Sequence, residues 1–245
     1  MWTLLKQDFK NLFKGGGNVV VFFIFPTIVT LLLGFLLSNS YTSELLTSYD
    51  FYGVTMVFFV AMMGATVPAS LFLEKQLKSA NTRIFYSPVS RVSIYLSKII
   101  ACFIFMSIAM TLNVILFQVT GFVNFGGSNI FYVILLLINF ILFLCMLSSA
   151  ICVTVRSEEI TNTIISNSVS VLALFSGIML PVASLGPVIA KISNISPIKW
   201  VITCVFELIY DGNSPYFIII MIGLFLLSLL LLFVVHKKYK PEDYI

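Results

Sequence analysis

Glu158 and Glu159, the single histidine His236, the pair Ser148–Ser149 and four cysteines are the residues of this chain that could carry bond-making chemistry. Adjacent glutamates can polarise a water for hydrolysis within a membrane. Such a pair wants an arginine three or four positions on, and Asn162 and Thr163 stand there instead. His236 lies beside Lys237 and Lys238 with no second imidazole or carboxylate at metal-ligand spacing, so a metal-dependent hydrolase is disfavoured. Ser148 and Ser149 have no histidine at membrane depth to activate a hydroxyl. Cys102, Cys145, Cys152 and Cys204 form no CxxC pattern and mostly lie in apolar runs, which reads as packing rather than a disulfide frame or metal site. Gly15, Gly16 and Gly17 are followed by Asn18 and Val19, and no GxxxxGKS or GxxxxGKT occurs, so the chain has no phosphate-cradling loop of its own. These residues predict no catalytic role, no metal and no cofactor bound by this chain.

One stretch is rich in chemistry of another kind. Residues 74–98, EKQLKSANTRIFYSPVSRVSIYLSK, separate two strongly apolar segments and hold Lys75, Lys78, Arg83, Arg91 and Lys98 among the chain's fourteen Lys and Arg. A connection between paired helices usually takes about 2–8 residues. This one is far longer and mixes aromatics and Pro88 with its charges. It reads as a surface that touches something outside the lipid, the plainer alternative being a basic loop that binds lipid headgroups.

The elements that must position this surface follow from composition. Of 245 residues, 60% are hydrophobic and 10% charged, with a mean hydropathy of +1.08, against about 25% charged in a soluble domain. The fold class expected is an all-α integral membrane protein. No polar stretch reaches the roughly 50 residues of a separate soluble domain, so 1–245 reads as a single transmembrane domain. Residues 2–14 place Leu5, Phe9, Leu12 and Phe13 on one side and Lys6, Lys10 and Lys14 on the other, the pattern of an amphipathic helix lying in the membrane interface. The N-terminus does not read as a cleavable signal, because its charges precede an overlong apolar run with no small-residue cleavage site.

Six spans are predicted, at 18–38, 51–73, 97–120, 130–154, 160–180 and 215–235, with Pro26 inside the first and Pro68 late in the second. A span of about 20 residues rises about 30 Å, the thickness of the hydrocarbon core. Residues 181–214 are broken by Pro181, Gly186, Pro187, Pro197 and Gly212 and read as a re-entrant hairpin of two short helices. An even span count puts both termini, the 74–96 loop and the 156–159 turn on one side. Lys191 and Lys199 alone fall opposite, and the other twelve cations make that side cytoplasmic. Ion-coupled carriers usually hold ionisable groups at mid-membrane. Here Asn113, Gln118 and Asn139 are the strongest polar groups in the spans, each reading as helix–helix glue. Driven work would then draw on a separate subunit.

Residues 74–98 resemble the first cytoplasmic loop of permease subunits of type-2 ATP-binding-cassette (ABC) exporters. Glu74 ends the second span, Lys75 to Phe85 form a basic amphipathic segment, and Pro88-Val89-Ser90-Arg91 steps into the third. The resemblance extends to the interfacial helix, the six spans and the proline-containing step Ile195-Ser196-Pro197-Ile198-Lys199-Trp200 before the last one. Family loops often open acid–Gly–Thr, whereas this one reads Leu77-Lys78-Ser79-Ala80-Asn81-Thr82. The resemblance implies a coupling helix, about Leu77 to Tyr86, that docks on a cytoplasmic ABC ATPase subunit holding ATP and Mg. Glu74, Lys75, Leu77, Lys78, Arg83, Ile84, Phe85, Pro88 and Arg91 would make the contact. It also implies a second permease subunit, identical or paralogous, with Ser166, Ser168, Ser170, Ser176 and Gly177 of the fifth span at the dimer interface or cargo path. The expected function is ATP-driven outward movement of an amphiphile (a lipid, hydrophobic peptide or drug) across a bacterial plasma membrane, with lipid but no nucleic acid as a further partner. Two other readings compete: a non-transporting membrane protein such as an immunity or toxin-binding factor, and an intramembrane hydrolase using Glu158 and Glu159.

Overall fold

The computed structural model describes residues 1–14, 16–38, 46–73, 89–178, 193–194 and 196–240, and every regular element among them is helical. In chain order these are α1 (Trp2–Lys14), α2 (Gly17–Leu36), α3 (Ser48–Leu73), α4 (Arg91–Thr120), α5 (Ile130–Val155), α6 (Glu158–Phe175), α7 (Pro197–Tyr210) and α8 (Phe217–Lys238). Five of them, α2, α3, α4, α5 and α8, are long and apolar enough to cross a membrane. The predicted fifth span corresponds to α6, whose 18 residues rise about 27 Å but open on two polar turns.

Local chemistry sets the boundaries. Gly16 takes a left-handed φ of 53° and ends the approach from α1, as the glycine run predicts. Thr47 and Asp50 form a reciprocal capping box at the start of α3. The third span was expected from residue 97, but α4 already begins at Arg91, because the Ser90 hydroxyl accepts from the Ser93 amide and caps the helix there. The 74–96 loop is thus shortened by its last six residues, which are helical. Between α5 and α6, Arg156 closes one helix at φ 59° and the Ser157 hydroxyl caps the next, with Glu158 and Glu159 in its first turn. Those two carboxylates sit where the helix dipole favours negative charge. Of the predicted hairpin, α7 is the second helix, with Pro197 in its first turn; the first falls outside the described residues.

α3 is the centre of the bundle. It packs against α2, α4, α5 and α6, and Tyr52, Phe58 and Phe72 on it are almost wholly buried. α8 lies against α5, and α1 lies along α4. Gly64 starts a short 3₁₀ stretch, Gly64–Thr66, inside α3. A side chain there would collide with the Phe22 ring and the end of Met106.

Pro26 has no N–H to offer the carbonyl of Phe22 four residues back, and Val20–Ile24 form a π-helical turn just ahead of it. Asn113 of α4 supplies the missing donor: its Nδ2 donates to the Phe22 carbonyl at 2.9 Å, while Thr27 Oγ1 donates to Asn113 Oδ1 at 3.2 Å. Asn139 similarly donates to the Met221 carbonyl of α8 at 2.8 Å. Both amides act between helices, as expected. Gln118 does not: its Oε1 accepts from the Phe125 amide and orders the turn after α4. Asn113→Leu should therefore destabilise the protein by about 1 kcal/mol, the usual scale for interhelical hydrogen bonds in membranes. Thermal unfolding in detergent would read this, and an unchanged midpoint would show that the Phe22 carbonyl needs no partner.

Candidate functional site

The candidate site lies at the end of the bundle where α1, the end of α3, the starts of α4 and α6, and the end of α8 meet. α1 was expected as an interfacial helix with Leu5, Phe9, Leu12 and Phe13 on one side. In the structure its most buried residues are Asp8 and Leu12, with Phe9 half-buried, while Lys6, Lys10 and Lys14 point outward as predicted. Phe13 leans edge-on against Phe105 of α4 at 4.9 Å between ring centroids. The helix thus packs on α4 and carries a carboxylate into the contact.

That carboxylate meets Ser97 and Lys98. Ser97 Oγ donates to Asp8 Oδ2 at 2.8 Å, and Lys98 Nζ lies 3.8 Å from Asp8 Oδ1. Lys98 Nζ also donates to the carbonyl of Leu71 at 2.8 Å and sits 5.9 Å from the centre of the Phe72 ring. Both side chains are below one-tenth exposed. Burial pushes the Asp8 carboxyl above its ordinary range, opposed by the Lys98 charge and the hydrogen bond from Ser97. One ammonium thereby joins three elements: α1 through Asp8, α3 through Leu71, and its own helix α4.

α8 closes the arrangement. The Tyr95 hydroxyl is 2.9 Å from His236 Nδ1. Tyr239 packs edge-on against both Tyr95, at 5.3 Å, and Phe72, at 6.0 Å. Burial raises the Tyr239 hydroxyl well above its ordinary value, so it stays neutral. His236, read from the sequence as an interfacial residue, is exposed in the last turn of α8, and its imidazole holds a partner on α4.

Leu73 and Val89 are the described residues that flank the basic loop, two residues beyond Leu71 and six before Tyr95. The loop therefore leaves and re-enters the bundle beside this network. Glu74, Lys75, Leu77, Lys78, Arg83, Ile84, Phe85 and Pro88 lie outside the described residues, whereas Arg91 is exposed on the first turn of α4. Lys98, counted with the loop's cations from the sequence, belongs to the buried network instead. On α6, Thr161, Ile165, Val169 and Ala173 face the bundle. Ser168 and Ser170 are exposed, Ser166 is half-buried, and Ser176 and Gly177 are buried within the subunit. Ser149 donates to the Cys145 carbonyl at 2.7 Å, an intrahelical bond.

The sequence had two signals for the network that composition alone obscures. Asp8 falls on the apolar stripe of α1, between Leu5 and Leu12, and Lys98 falls inside an apolar run rather than in the polar loop.

A helical bundle in which five helices are long and apolar enough to cross a membrane defines a multi-pass membrane protein. A family model described as ABC-2 type transporter matches residues 1–210. The chain belongs to that family, as a transmembrane component of an ABC transporter and not itself the ATPase. A search of curated proteins found no match.

Removing one member of a buried pair leaves an uncompensated charge. Asp8→Ala should cost roughly 3–5 kcal/mol, and Asp8→Ala with Lys98→Met should recover most of it. Equal losses in the single and double variants would show that the two residues are not coupled.

Proposed function

We propose that this chain is the permease subunit of an ABC exporter, moving an amphiphilic cargo (a lipid, hydrophobic peptide or drug) outward under the drive of a separate cytoplasmic ATPase. The observation that carries the reading is the buried Asp8–Ser97–Lys98 network at the root of the basic loop. A loop that receives force must be fixed to the helices it is to move, and an ammonium shared between α1, α3 and α4 does this. Residues about 77–86, which lie outside the described residues, make the contact with the ATPase, with Leu77, Ile84 and Phe85 as apolar anchors and Lys78 and Arg83 at the rim. Glu74, Lys75, Pro88 and Arg91 flank it. ATP and Mg bind to the partner subunit.

Six crossings, with α6 as the fifth, put both termini and this loop in the cytoplasm of a bacterial cell, following the distribution of cations. The whole chain, 1–245, is one transmembrane domain, with 181–214 as a re-entrant hairpin on the outer side. The permease works as a pair. α6 supports this, because its outward face mixes Ile164, Val171 and Leu174 with Thr163, Asn167, Ser168 and Ser170. Thr163 and Ser170 donate to carbonyls of their own helix, but the Asn167 amide facing lipid would be poorly placed, and a second permease subunit or a cargo path would accept it.

Arg83→Glu combined with Phe85→Ala should weaken ATPase binding at least about tenfold and abolish transport without affecting membrane insertion. Retained transport in that double variant would remove the docking assignment. A cysteine at position 170 should form a disulfide between two copies under mild oxidation in native membranes. If Ser170→Cys stays monomeric while a cysteine on the lipid-facing side of α8 crosslinks, the pairing face has been misplaced.

A further inference from the structure

The motif around Pro197 contains residues that the transport reading does not use. α7 buries Ile198, Val201, Ile202, Val205, Leu208 and Ile209 against the bundle. Its other stripe lines a cavity of about 170 Å³ with Lys199, Trp200, Thr203, Cys204 and Glu207, closed on the far side by Tyr216 and Asn194. This lies at the end of the bundle opposite α1, where Asn129 donates to the Leu208 carbonyl at 3.2 Å.

Two charges of opposite sign face this one cavity without meeting. Lys199 and Glu207 are eight residues apart, so their backbones are separated by about 12 Å along the helix. Lys199 Nζ donates to Ser193 Oγ and Asn194 Oδ1, both at 2.7 Å, and Glu207 Oε2 accepts from Ser214 Oγ at 2.6 Å. All these partners are neutral. Among the described residues the only ion pair is that of Asp8 and Lys98. Helix stability does not account for the placement either. A lysine in the first turn and a glutamate in the last oppose the helix dipole at both ends. An aromatic belt at the membrane boundary explains Trp200 and Tyr216, which meet edge-on at 5.9 Å, but not two half-buried charges held apart across a cavity.

We propose that this cavity binds the headgroup of a zwitterionic phospholipid, with the phosphate on Lys199 and Asn194 and the ammonium on Glu207. A ligand carrying both charges satisfies both residues at once, which neither a simple anion nor a cation does. The source is a lipid because the site stands at the membrane boundary. Trp200 and Tyr216 are half-exposed, and the next turn of α8 presents Ile218, Ile219 and Ile222 as a surface for acyl chains. The inference concerns a binding site and stands whether or not the bound lipid is cargo.

The full chain in detergent, with Trp2→Phe leaving Trp200 as the only indole, allows binding to be followed by fluorescence. Phosphatidylethanolamine, phosphatidylglycerol and water-soluble glycerophosphoethanolamine are the probes. Phosphatidylethanolamine should bind saturably and about tenfold tighter than phosphatidylglycerol, the scale of one charge-assisted hydrogen bond. Glu207→Gln keeps an oxygen for Ser214 and should lose only that preference. Lys199→Gln should weaken both lipids. Equal binding of the two lipids by the wild type, or an undiminished preference in Glu207→Gln, would overturn the zwitterion site. Glycerophosphoethanolamine binding as tightly as the lipid would overturn its assignment to the membrane.

Discussion

A lysine ammonium buried at the membrane boundary must be matched or it destabilises the fold, and the placing of Lys98 organises one whole end of this protein. It is almost wholly buried, so its charge is met by the Asp8 carboxylate, while it donates a hydrogen bond to the Leu71 carbonyl. The geometry fixes α1 on α4 and ties the last turns of α3 to both. Without it α1 would be held mainly by aromatic contacts such as that of Phe13 with Phe105, which resist separation but set register weakly. A charge-assisted contact is directional, and this one defines where the basic loop begins and ends.

The two ends of the bundle use polar groups differently. At the α1 end, charge is buried and shared between helices. At the other, Asp50 closes the capping box of α3 and its Oδ1 accepts from the Asn124 amide at 2.7 Å, while Asn129 reaches the Leu208 and Gly212 carbonyls. Between them the interior is mostly apolar, with buried hydroxyls such as Thr55 and Ser149 and the amides Asn113 and Asn139, which satisfy backbone carbonyls of neighbouring helices. No charge needs to enter the hydrocarbon for the helices to be held together, which suits a component whose energy comes from a partner.

The spans were legible because a membrane helix announces itself by length and hydropathy, and α2, α3, α5 and α8 fall within a few residues of the predicted segments. Caps were harder to read. Ser90 moves the start of α4 six residues forward, because hydropathy marks where lipid begins and a cap marks where the helix begins. The amides Asn113 and Asn139 were read correctly as interhelical bonds since an apolar environment leaves them little else to do, while Gln118, close to the helix end, found a loop amide instead. The buried network escaped the sequence reading because Asp8 and Lys98 are ninety residues apart. Counting Lys98 with the loop's cations served orientation but hid that it sits past Ile94 and Tyr95, inside the helix. The proposal that Glu74 to Pro88 dock on the ATPase rests on resemblance to the family and on the position of the residues that flank them.

The 3₁₀ stretch at Gly64 divides the central helix into two rods, Ser48–Met63 and Val67–Leu73. The longer is pinned at its far end by Asp50 and ringed by neighbours. The shorter, about 10 Å of helix, is gripped by Lys98 through the Leu71 carbonyl. A displacement delivered at Leu73 would therefore act on a stub with an articulation directly behind it. The bundle could answer a tug on its loop by pivoting that stub while the long rod keeps its seat, so the first movement in a transport cycle need not break the grip at the opposite membrane face.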